Sequence, residues 1–159
     1  MTREPEPILA DVLIVDDDEA TRRILRRIVE AEGYVVREAV DATEAIERIS
    51  ESTPAVALCD VHLPGANGLW LADEIRHLAP ATAIALVTGD GEIPPSESLR
   101  KAVVGYVLKP VGRDELLQIV EDGMRWCATE TPKIAARPAP RQLAEGAVCV
   151  IAAGEARRA

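Results

Sequence analysis

Short apolar runs alternate with stretches of helical periodicity along most of this chain. Continuous runs rich in Val, Ile and Leu are typical of strands that are buried on both faces of a parallel sheet. Amphipathic segments separate these runs, as expected for alternating strands and helices. The five runs are Val12–Val15, Tyr34–Val36, Ala55–Cys59, Ala83–Val87 and Tyr106–Leu108.

The segments between and after the runs place apolar residues three and four positions apart, which predicts helices. The first, Glu19–Glu32, would turn a stripe towards the sheet and end at Gly33. Its stripe residues are Ile24, Leu25, Ile28 and Val29. The other four helices are expected near Ala42–Ser50, Gly68–Leu78, Ser96–Val103 and Arg113–Cys127. The helix Gly68–Leu78 would turn Leu71, Ile75 and Leu78 towards the sheet.

Five strand–helix units with short connections predict a doubly wound α/β fold, in which helices cover both faces of a five-stranded parallel sheet. Ligands of such sheets bind at the carboxyl ends of the strands. Polar residues follow four of the predicted strands at that end, and we expect them to converge on one crevice. They are Asp16–Asp18, Asp60, Thr88 and Lys109.

The three consecutive aspartates Asp16, Asp17 and Asp18 allow two interpretations. Crowded carboxylates raise one another's pKa values and cost free energy unless a cation or a donor compensates. A divalent metal such as Mg²⁺, which prefers oxygen ligands, would provide that compensation. A solvated turn that also caps the first helix explains the triplet equally well.

The composition is that of a globular domain, with 159 residues of which 48% are hydrophobic and 28% charged. No apolar stretch approaches the roughly 20 residues that span a membrane. The N-terminal segment lacks the layout of a signal peptide, so we expect a cytoplasmic protein without a membrane partner. Cys59, Cys127 and Cys149 show no paired spacing and are expected to be reduced thiols.

The net charge of −9 is unevenly distributed. Residues 1–128 contain 24 acidic and 13 basic side chains, whereas residues 129–159 contain 3 and 5. An acidic body disfavours direct contact with nucleic acid. Prolines among Ala and Arg predict that residues 128–159 are a linker or tail, following a domain at 10–127 and an N-terminal extension at 1–9.

Four motifs in order resemble the receiver domain of two-component response regulators. They are VLIVDDDEATRRIL, LCDVHLPGANGLWL, the pair Val87–Thr88 and GYVLKP. The resemblance covers residues 10–127 and implies the flavodoxin-like strand order 2-1-3-4-5. It also implies a phosphorylated signalling switch, which catalyses only its own phosphorylation and dephosphorylation, rather than an enzyme.

The resemblance also implies a role for each pocket residue. Asp60 corresponds to the phosphoacceptor, Asp17 to the direct Mg²⁺ ligand and Asp16 to the acid that holds metal-bound water. The backbone carbonyl of His62 corresponds to a further metal ligand, and Mg²⁺ is the implied cofactor. Asp18 has no role in the family and is expected to cap the first helix.

Other positions match the family's phosphoryl contacts and switch. Lys109, before a proline in a cis peptide bond, and Thr88 correspond to contacts of the phosphoryl group. Thr88 and Tyr106 correspond to the pair that repacks the fourth helix, fifth strand and fifth helix. His62 and Asp90 occupy the positions that tune hydrolysis of the phosphoaspartate.

The implied partners are a sensor histidine kinase or a histidine phosphotransfer protein, and a downstream target or covalently linked output domain. The Pro-rich tail slightly favours a longer regulator over a stand-alone receiver. A homodimer through the face of the fourth helix, fifth strand and fifth helix is possible. The donor would dock against the first helix and its arginines, which are Arg22, Arg23, Arg26 and Arg27.

Two other functions fit parts of this sequence. A receiver fold that acts only as an interaction module needs no phosphorylation, but every pocket residue type is present. A phosphatase of the haloacid-dehalogenase type carries DxDxT after an apolar strand; here Asp16 and Asp18 fit, but Ala20 occupies the threonine position. That second alternative also leaves Asp60 unexplained.

Overall fold

The computed structural model describes residues 11–65, 67–89 and 103–135. Five strands form one sheet in the order β2-β1-β3-β4-β5, with every neighbouring pair parallel. The predicted doubly wound sheet and its strand order are therefore confirmed. The strands are β1 Asp11–Val15, β2 Val35–Ala39, β3 Val56–Asp60, β4 Ala83–Thr88 and β5 Val103–Leu108.

Helices cover both faces of the sheet, so the core has two layers. The described helices are α1 Glu19–Ala31, α2 Ala42–Glu51, α3 Gly68–Leu78 and α4 Arg113–Ala135, the last corresponding to the predicted fifth helix. Buried residues of α1 and α4 belong to one layer, and those of α2 and α3 to the other. None of these described helices has the combination of length and apolar character that crossing a membrane requires.

The alternation of side chains along β1 explains its continuous apolar run. Val12 and Ile14 lie in the layer covered by α1 and α4. Leu13 and Val15 lie in the opposite layer, with α2 and α3. Successive residues of a strand point to opposite faces, so a strand that is covered on both sides needs apolar residues throughout.

The apolar stripes of two helices are narrower than predicted. Ile24 and Leu78 were expected to face the sheet, but their side chains are 57% and 50% exposed. In α1 the buried contacts are made by Leu25 and Val29. Ile24 is rotated by roughly 100° from Leu25 around the helix axis, which turns it away from the sheet.

The C-terminal part of the described chain differs from the prediction at two boundaries. Strand β5 begins at Val103, which was assigned to the end of the fourth helix. The rest of that predicted helix lies outside the described residues. Helix α4 continues to Ala135 instead of ending at Cys127, and Pro132 lies inside it. Residues 128–135 are therefore helical rather than linker, whereas residues 136–159, with Cys149, lie outside the described part.

Candidate functional site

Three carboxylates meet at the carboxyl end of the sheet. Asp16 and Asp17 directly follow β1, and Asp60 is the last residue of β3, the strand paired with β1. One carboxylate oxygen from each of the three lies within 4.8 Å of the others. The parallel arrangement of neighbouring strands brings these residues together, as the sequence predicted.

Lys109 supplies a positive charge to this cluster from the end of β5. Its Nζ lies 2.7 Å from Asp16 Oδ2 and 3.1 Å from Asp60 Oδ2. Its backbone N–H donates to the carbonyl oxygen of Thr88 at 2.8 Å, which fixes the start of the loop after β5. The Lys109–Pro110 peptide bond is cis, as the family resemblance implied.

Asp16 is held through both its backbone and its side chain. Its N–H donates to Ala39 O at 3.1 Å, and its Oδ1 accepts the Asp18 N–H at 2.9 Å. Its carbonyl oxygen accepts a hydrogen bond from Arg22 Nη1 at 2.6 Å. With Lys109 on Oδ2, each polar group of this buried residue has a partner, as a buried polar residue requires.

The other two aspartates of the triplet have different surroundings. Asp17 is exposed and is one of the three clustered carboxylates. Asp18 is the N-cap of α1, where its side chain accepts a hydrogen bond from the Thr21 N–H at 3.3 Å. A hydrogen bond from the Thr21 hydroxyl is the main reason that the pKa of Asp18 is lowered. The predicted capping role of Asp18 is therefore confirmed. Asp16 and Asp17 belong to the carboxylate cluster, and Asp18 caps the helix.

Asp60 is buried and partly neutralised. Its Oδ1 accepts the His62 N–H at 3.0 Å, and its Oδ2 accepts from Lys109. Burial, with a smaller effect of the Asp16 charge, raises the pKa of Asp60, and the two hydrogen bonds only partly offset this. Burial alone would lower the pKa of Lys109, but its hydrogen bonds and ion pairs with Asp16 and Asp60 raise it.

The remaining predicted site residues surround this cluster. Thr88 ends β4 and is fully buried. Tyr106 is half-buried and packs against the core layer of α2 and α3. His62 is exposed in the loop after β3, in a cleft that Asp17 also lines. Asp90 lies outside the described residues.

The charges of the cluster suit a divalent cation. Three carboxylates and the one ammonium that hydrogen-bonds to two of them leave a formal charge of −2. Two of the carboxylates already share Lys109, whereas Asp17 faces solvent. Oxygen ligands together with access for water fit the hydration that Mg²⁺ retains in proteins. Asp16, Asp17 and Asp60 are thus the side chains that could hold a metal here.

Two residues beside the cluster were not predicted as part of the site. Arg22 was expected on the surface of α1, but its guanidinium reaches the Asp16 carbonyl. Gly68 begins α3, and a Cβ built there would lie 2.0 Å from the carbonyl oxygen of Asp60. Asn67 is the N-cap of α3, and a glycine directly after a cap residue gives no sign in the sequence of this close approach.

An apolar cleft of about 450 Å³ lies next to the cluster, between α1 and the loop after β5. Ile24, which was expected to be buried, lines this cleft with its exposed side chain. The cleft reaches Lys109, so a molecule bound there would be close to the carboxylates. Its lining residues are Thr21, Ile24, Leu25, Lys109, Pro110 and Val111.

Comparisons with known proteins identify relatives of this chain. The chain is 39% identical over 105 residues to the aerobic respiration control protein ArcA of Escherichia coli (strain K12), which covers 66% of this chain and 44% of ArcA. It is 32% identical over 108 residues to the C4-dicarboxylate transport transcriptional regulatory protein DctD of Rhizobium meliloti (strain 1021), covering 67% of this chain and 24% of DctD. The chain therefore spans less than half the length of these two relatives.

A solved structure and a family model extend the comparison. A CheY-like response regulator receiver domain protein from Methanospirillum hungatei JF-1 matches with a TM-score of 0.71 and 32% identity, over 77% of this chain and 98% of that one. The family model of the response regulator receiver domain matches residues 12–121, which is more than half of the chain. This chain therefore belongs to the response regulator receiver domain family of two-component systems.

Proposed function

We propose that this chain accepts a phosphoryl group on Asp60 from the phosphohistidine of a sensor histidine kinase or a histidine phosphotransfer protein. The observation that carries the proposal is the convergence of Asp16, Asp17, Asp60 and Lys109 from three strand ends. A carboxylate oxygen of Asp60 would attack phosphorus as the phosphorus–nitrogen bond of the donor breaks, which forms an acyl phosphate. The donor imidazole leaves with the bonding electron pair and takes up a proton.

Mg²⁺ is the proposed cofactor. The side chains of Asp16, Asp17 and Asp60 would hold it, with the His62 backbone carbonyl as a further ligand. When bound, the ion supplies positive charge that offsets the negative charge of the phosphoryl oxygens. The support comes from the formal charge of −2 that the three carboxylates and Lys109 leave at this end of the sheet.

Lys109 and Thr88 are proposed to bind the transferred group. The Lys109 ammonium, now shared between Asp16 and Asp60, would donate to a phosphoryl oxygen once Asp60 carries the group. Thr88 would donate its hydroxyl to another phosphoryl oxygen. The hydrogen bond between Lys109 N–H and Thr88 O keeps these two residues at neighbouring strand ends.

Phosphorylation is proposed to change the surface near β5 through Thr88 and Tyr106. Tyr106 is half-buried against the core layer of α2 and α3, so a small change in packing alters its exposure. Such a local event would bias a two-state element. His62 and Asp90 are proposed to tune hydrolysis, and exposure of His62 beside the Asp17 cleft is consistent with control of water access.

The phosphodonor is proposed to dock in the apolar cleft beside Lys109. Ile24 offers a largely exposed apolar side chain there, and Val111 lines the opposite side of the cleft. The predicted arginine surface of α1 is reduced by the inward position of Arg22. Arg23 and Arg26 remain exposed, each in an ion pair with a glutamate four residues away in the sequence.

The output is proposed to be a downstream protein or a covalently linked output domain in the cytoplasm. A homodimer through the predicted fourth helix, β5 and α4 is also proposed. Most of that predicted helix lies outside the described residues. The two relatives named above are longer than the part that this chain matches. That difference is consistent with an output domain elsewhere in the protein.

Intact-mass analysis with a small phosphodonor and Mg²⁺ tests the proposed acceptor. We expect one phosphoryl adduct on the parent protein, none on Asp60→Asn, and none when EDTA replaces Mg²⁺. An unmodified parent would support the alternative of an interaction module that works without phosphorylation. An adduct of equal yield on Asp60→Asn would place the acceptor on another residue.

A comparison of two donors tests the docking cleft. Ile24→Ala should slow phosphorylation by a purified histidine phosphotransfer protein about tenfold, because buried apolar contact is lost. Its phosphorylation by the small phosphodonor should not change. Trp70→Ala is the matched control, since Trp70 is also exposed but lies on α3. Equal effects of the two variants would remove Ile24 from the docking surface.

A further inference from the structure

Arg22 differs from the neighbouring arginines of α1 in where its charge lies. Its side chain is only 12% exposed, whereas that of Arg23 is 64% exposed. Its Nη1 donates to the Asp16 carbonyl oxygen at 2.6 Å. A hydrogen bond from a charged donor to a backbone carbonyl is stronger than one between neutral groups, and partial burial increases that difference.

Glu38, on β2, holds the guanidinium from the other side. Arg22 Nε lies 3.7 Å from Glu38 Oε1, and Arg26 Nη1 lies 2.8 Å from Glu38 Oε2. Glu38 is therefore the counter-charge for two arginines of α1. Arg22 also contacts the loop between β1 and α1, which carries Asp16 and Asp17.

The hydrogen bond from Arg22 acts on the peptide that links Asp16 to Asp17. The N–H of Asp16 is fixed to Ala39 O at 3.1 Å, so the bond from Arg22 fixes the other side of the residue. Across residues 11–65, 67–89 and 103–135, no hydrogen bond or ion pair to the Asp17 side chain is found. The backbone, and with it the Asp16–Asp17 peptide plane, fixes the direction of the Asp17 Cα–Cβ bond and so limits the positions that the carboxylate can reach.

We propose that Arg22 is a positioning residue for the metal site, holding the Asp16 carbonyl so that the Asp17 carboxylate faces Asp60. This inference rests on the proposed function, because it concerns the Mg²⁺ site of that function. Groups that orient metal ligands without contacting the metal commonly change affinity by about 10- to 100-fold when removed. Arg22 would act in this way through a backbone carbonyl.

The test is Mg²⁺ binding by isothermal titration calorimetry, with thermal unfolding of each variant measured in EDTA. Arg22→Ala should weaken Mg²⁺ binding about tenfold. Arg22→Lys, which can still donate one hydrogen bond to the carbonyl, should recover part of that loss. Arg26→Ala is the matched control, because it removes an ion pair with Glu38 without touching Asp16, and its affinity should stay within about twofold of the parent.

The possible outcomes separate this inference from the proposed function. Equal Mg²⁺ affinity of Arg22→Ala and Arg26→Ala, in a parent that binds Mg²⁺ and loses it with Asp17→Ala, would overturn the role of Arg22 alone. A parent that does not bind Mg²⁺ would overturn both the metal site and this role. If Arg22→Ala is unfolded at the assay temperature, Arg22→Met decides, because it keeps an apolar side chain of similar length but cannot donate a hydrogen bond to the Asp16 carbonyl. Parent-like Mg²⁺ affinity of that variant would overturn the role of Arg22.

Discussion

Lys109 and Asp60 are joined across the crevice, with Nζ 3.1 Å from Oδ2, although 49 positions separate them in the sequence. The same ammonium lies 2.7 Å from Asp16 Oδ2. One cation thus offsets part of the repulsion between two buried carboxylates. Folding of this part of the domain in the absence of a metal should therefore depend on Lys109.

Lys109→Met is expected to lower the free energy of unfolding in EDTA by about 2 kcal/mol. Removing one partner of a fully buried ion pair costs about 3–5 kcal/mol. The loss expected here is smaller because solvent screens the charge of Lys109. That screening follows from the 24% exposure of the Lys109 side chain. Urea titration followed by circular dichroism measures the difference.

Arg113→Met is the control for Lys109→Met, because it removes an ion pair with Glu32 whose partners are both exposed. Its cost should be about 0.5 kcal/mol or less. Similar losses in the two variants would show that the acidic cluster does not depend on Lys109. A double variant, Lys109→Met with Asp60→Asn, should recover part of the loss because it also removes one buried charge.

Asp60→Asn is expected to raise the melting temperature at neutral pH in EDTA. Burial first, and then the Asp16 charge, raises the pKa of Asp60 above its ordinary value of 3.8. The stability linked to its proton is fully present below that value and is lost as the pH rises through the folded-state pKa. Asparagine avoids this loss, so the difference between variant and parent should shrink as the pH falls towards 3.8.

Asp18→Asn provides a control of opposite sign. The Thr21 hydroxyl lowers the pKa of Asp18, so its ionised form stabilises the folded state above the ordinary pKa. This variant should melt at or below the temperature of the parent at neutral pH. Thermal unfolding of both variants across the acid range measures the two trends, and a lower melting temperature for Asp60→Asn would contradict the burial argument.

The sheet and the carboxylate cluster could be predicted because both follow from periodicity. The run Val12–Val15 is apolar on both faces of its strand, which indicates a sheet covered on both sides. Once the strands are parallel, Asp16, Asp60 and Lys109 must lie at the same edge of the sheet. Their distances then follow from the order of the strands, not from their separation in sequence.

Arg22 and Ile24 show what the helical pattern could not determine. Four arginines alternate with the apolar residues of α1, and spacing alone does not indicate which one reaches back to the preceding loop. Ile24 fits the apolar stripe by spacing, yet it is exposed because the sheet contacts only the part of α1 around Leu25 and Val29. Both outcomes depend on the orientation of the helix against its neighbours.

The end of α4 was mispredicted from the position of a proline. Proline lacks an N–H donor and normally interrupts a helix, so Pro132 indicated a linker. The helix instead continues to Ala135. The hydroxyls of Thr129 and Thr131 donate to the carbonyl oxygens of Arg125 and Cys127 at 2.9 and 2.8 Å, whereas the carbonyl that lacks its helical donor because of Pro132 is that of Ala128. The loss of this single hydrogen bond does not end the helix.

Cys59 is expected to resist alkylation in the folded protein. Burial, with a smaller contribution from Asp60, raises the pKa of its thiol to about 12, and the reactive thiolate is therefore scarce at neutral pH. Cys127, which is only partly buried, should react faster. Iodoacetamide labelling followed by peptide mass spectrometry distinguishes the two, with a denatured sample as the control in which both react. Equal labelling of the two cysteines in the folded protein would show that the β3 core opens.

Gly68→Ala is expected to destabilise the domain and displace the phosphoacceptor. Its Cβ would lie 2.0 Å from the Asp60 carbonyl oxygen and 2.8 Å from Val61 Cα, and both are backbone atoms that cannot move aside as a side chain can. Overpacking of this kind costs about 3 kcal/mol. The resulting shift between β3 and α3 should also reduce phosphorylation of Asp60. Denaturant titration and intact-mass phosphorylation measure the two effects.

The matched control is Gly112→Ala, because a Cβ there would lie 3.9 Å from the nearest atoms of Glu115, an ordinary contact distance. Its free energy of unfolding should change by about 1 kcal/mol or less, because Gly112 precedes the first residue of α4, where alanine is a poorer cap than glycine. A Gly68→Ala protein as stable as this control, with an unchanged phosphorylation yield, would show that the loop between β3 and α3 adjusts freely. A stable Gly68→Ala protein with a reduced yield would instead show that Gly68 affects the placement of Asp60 more than folding.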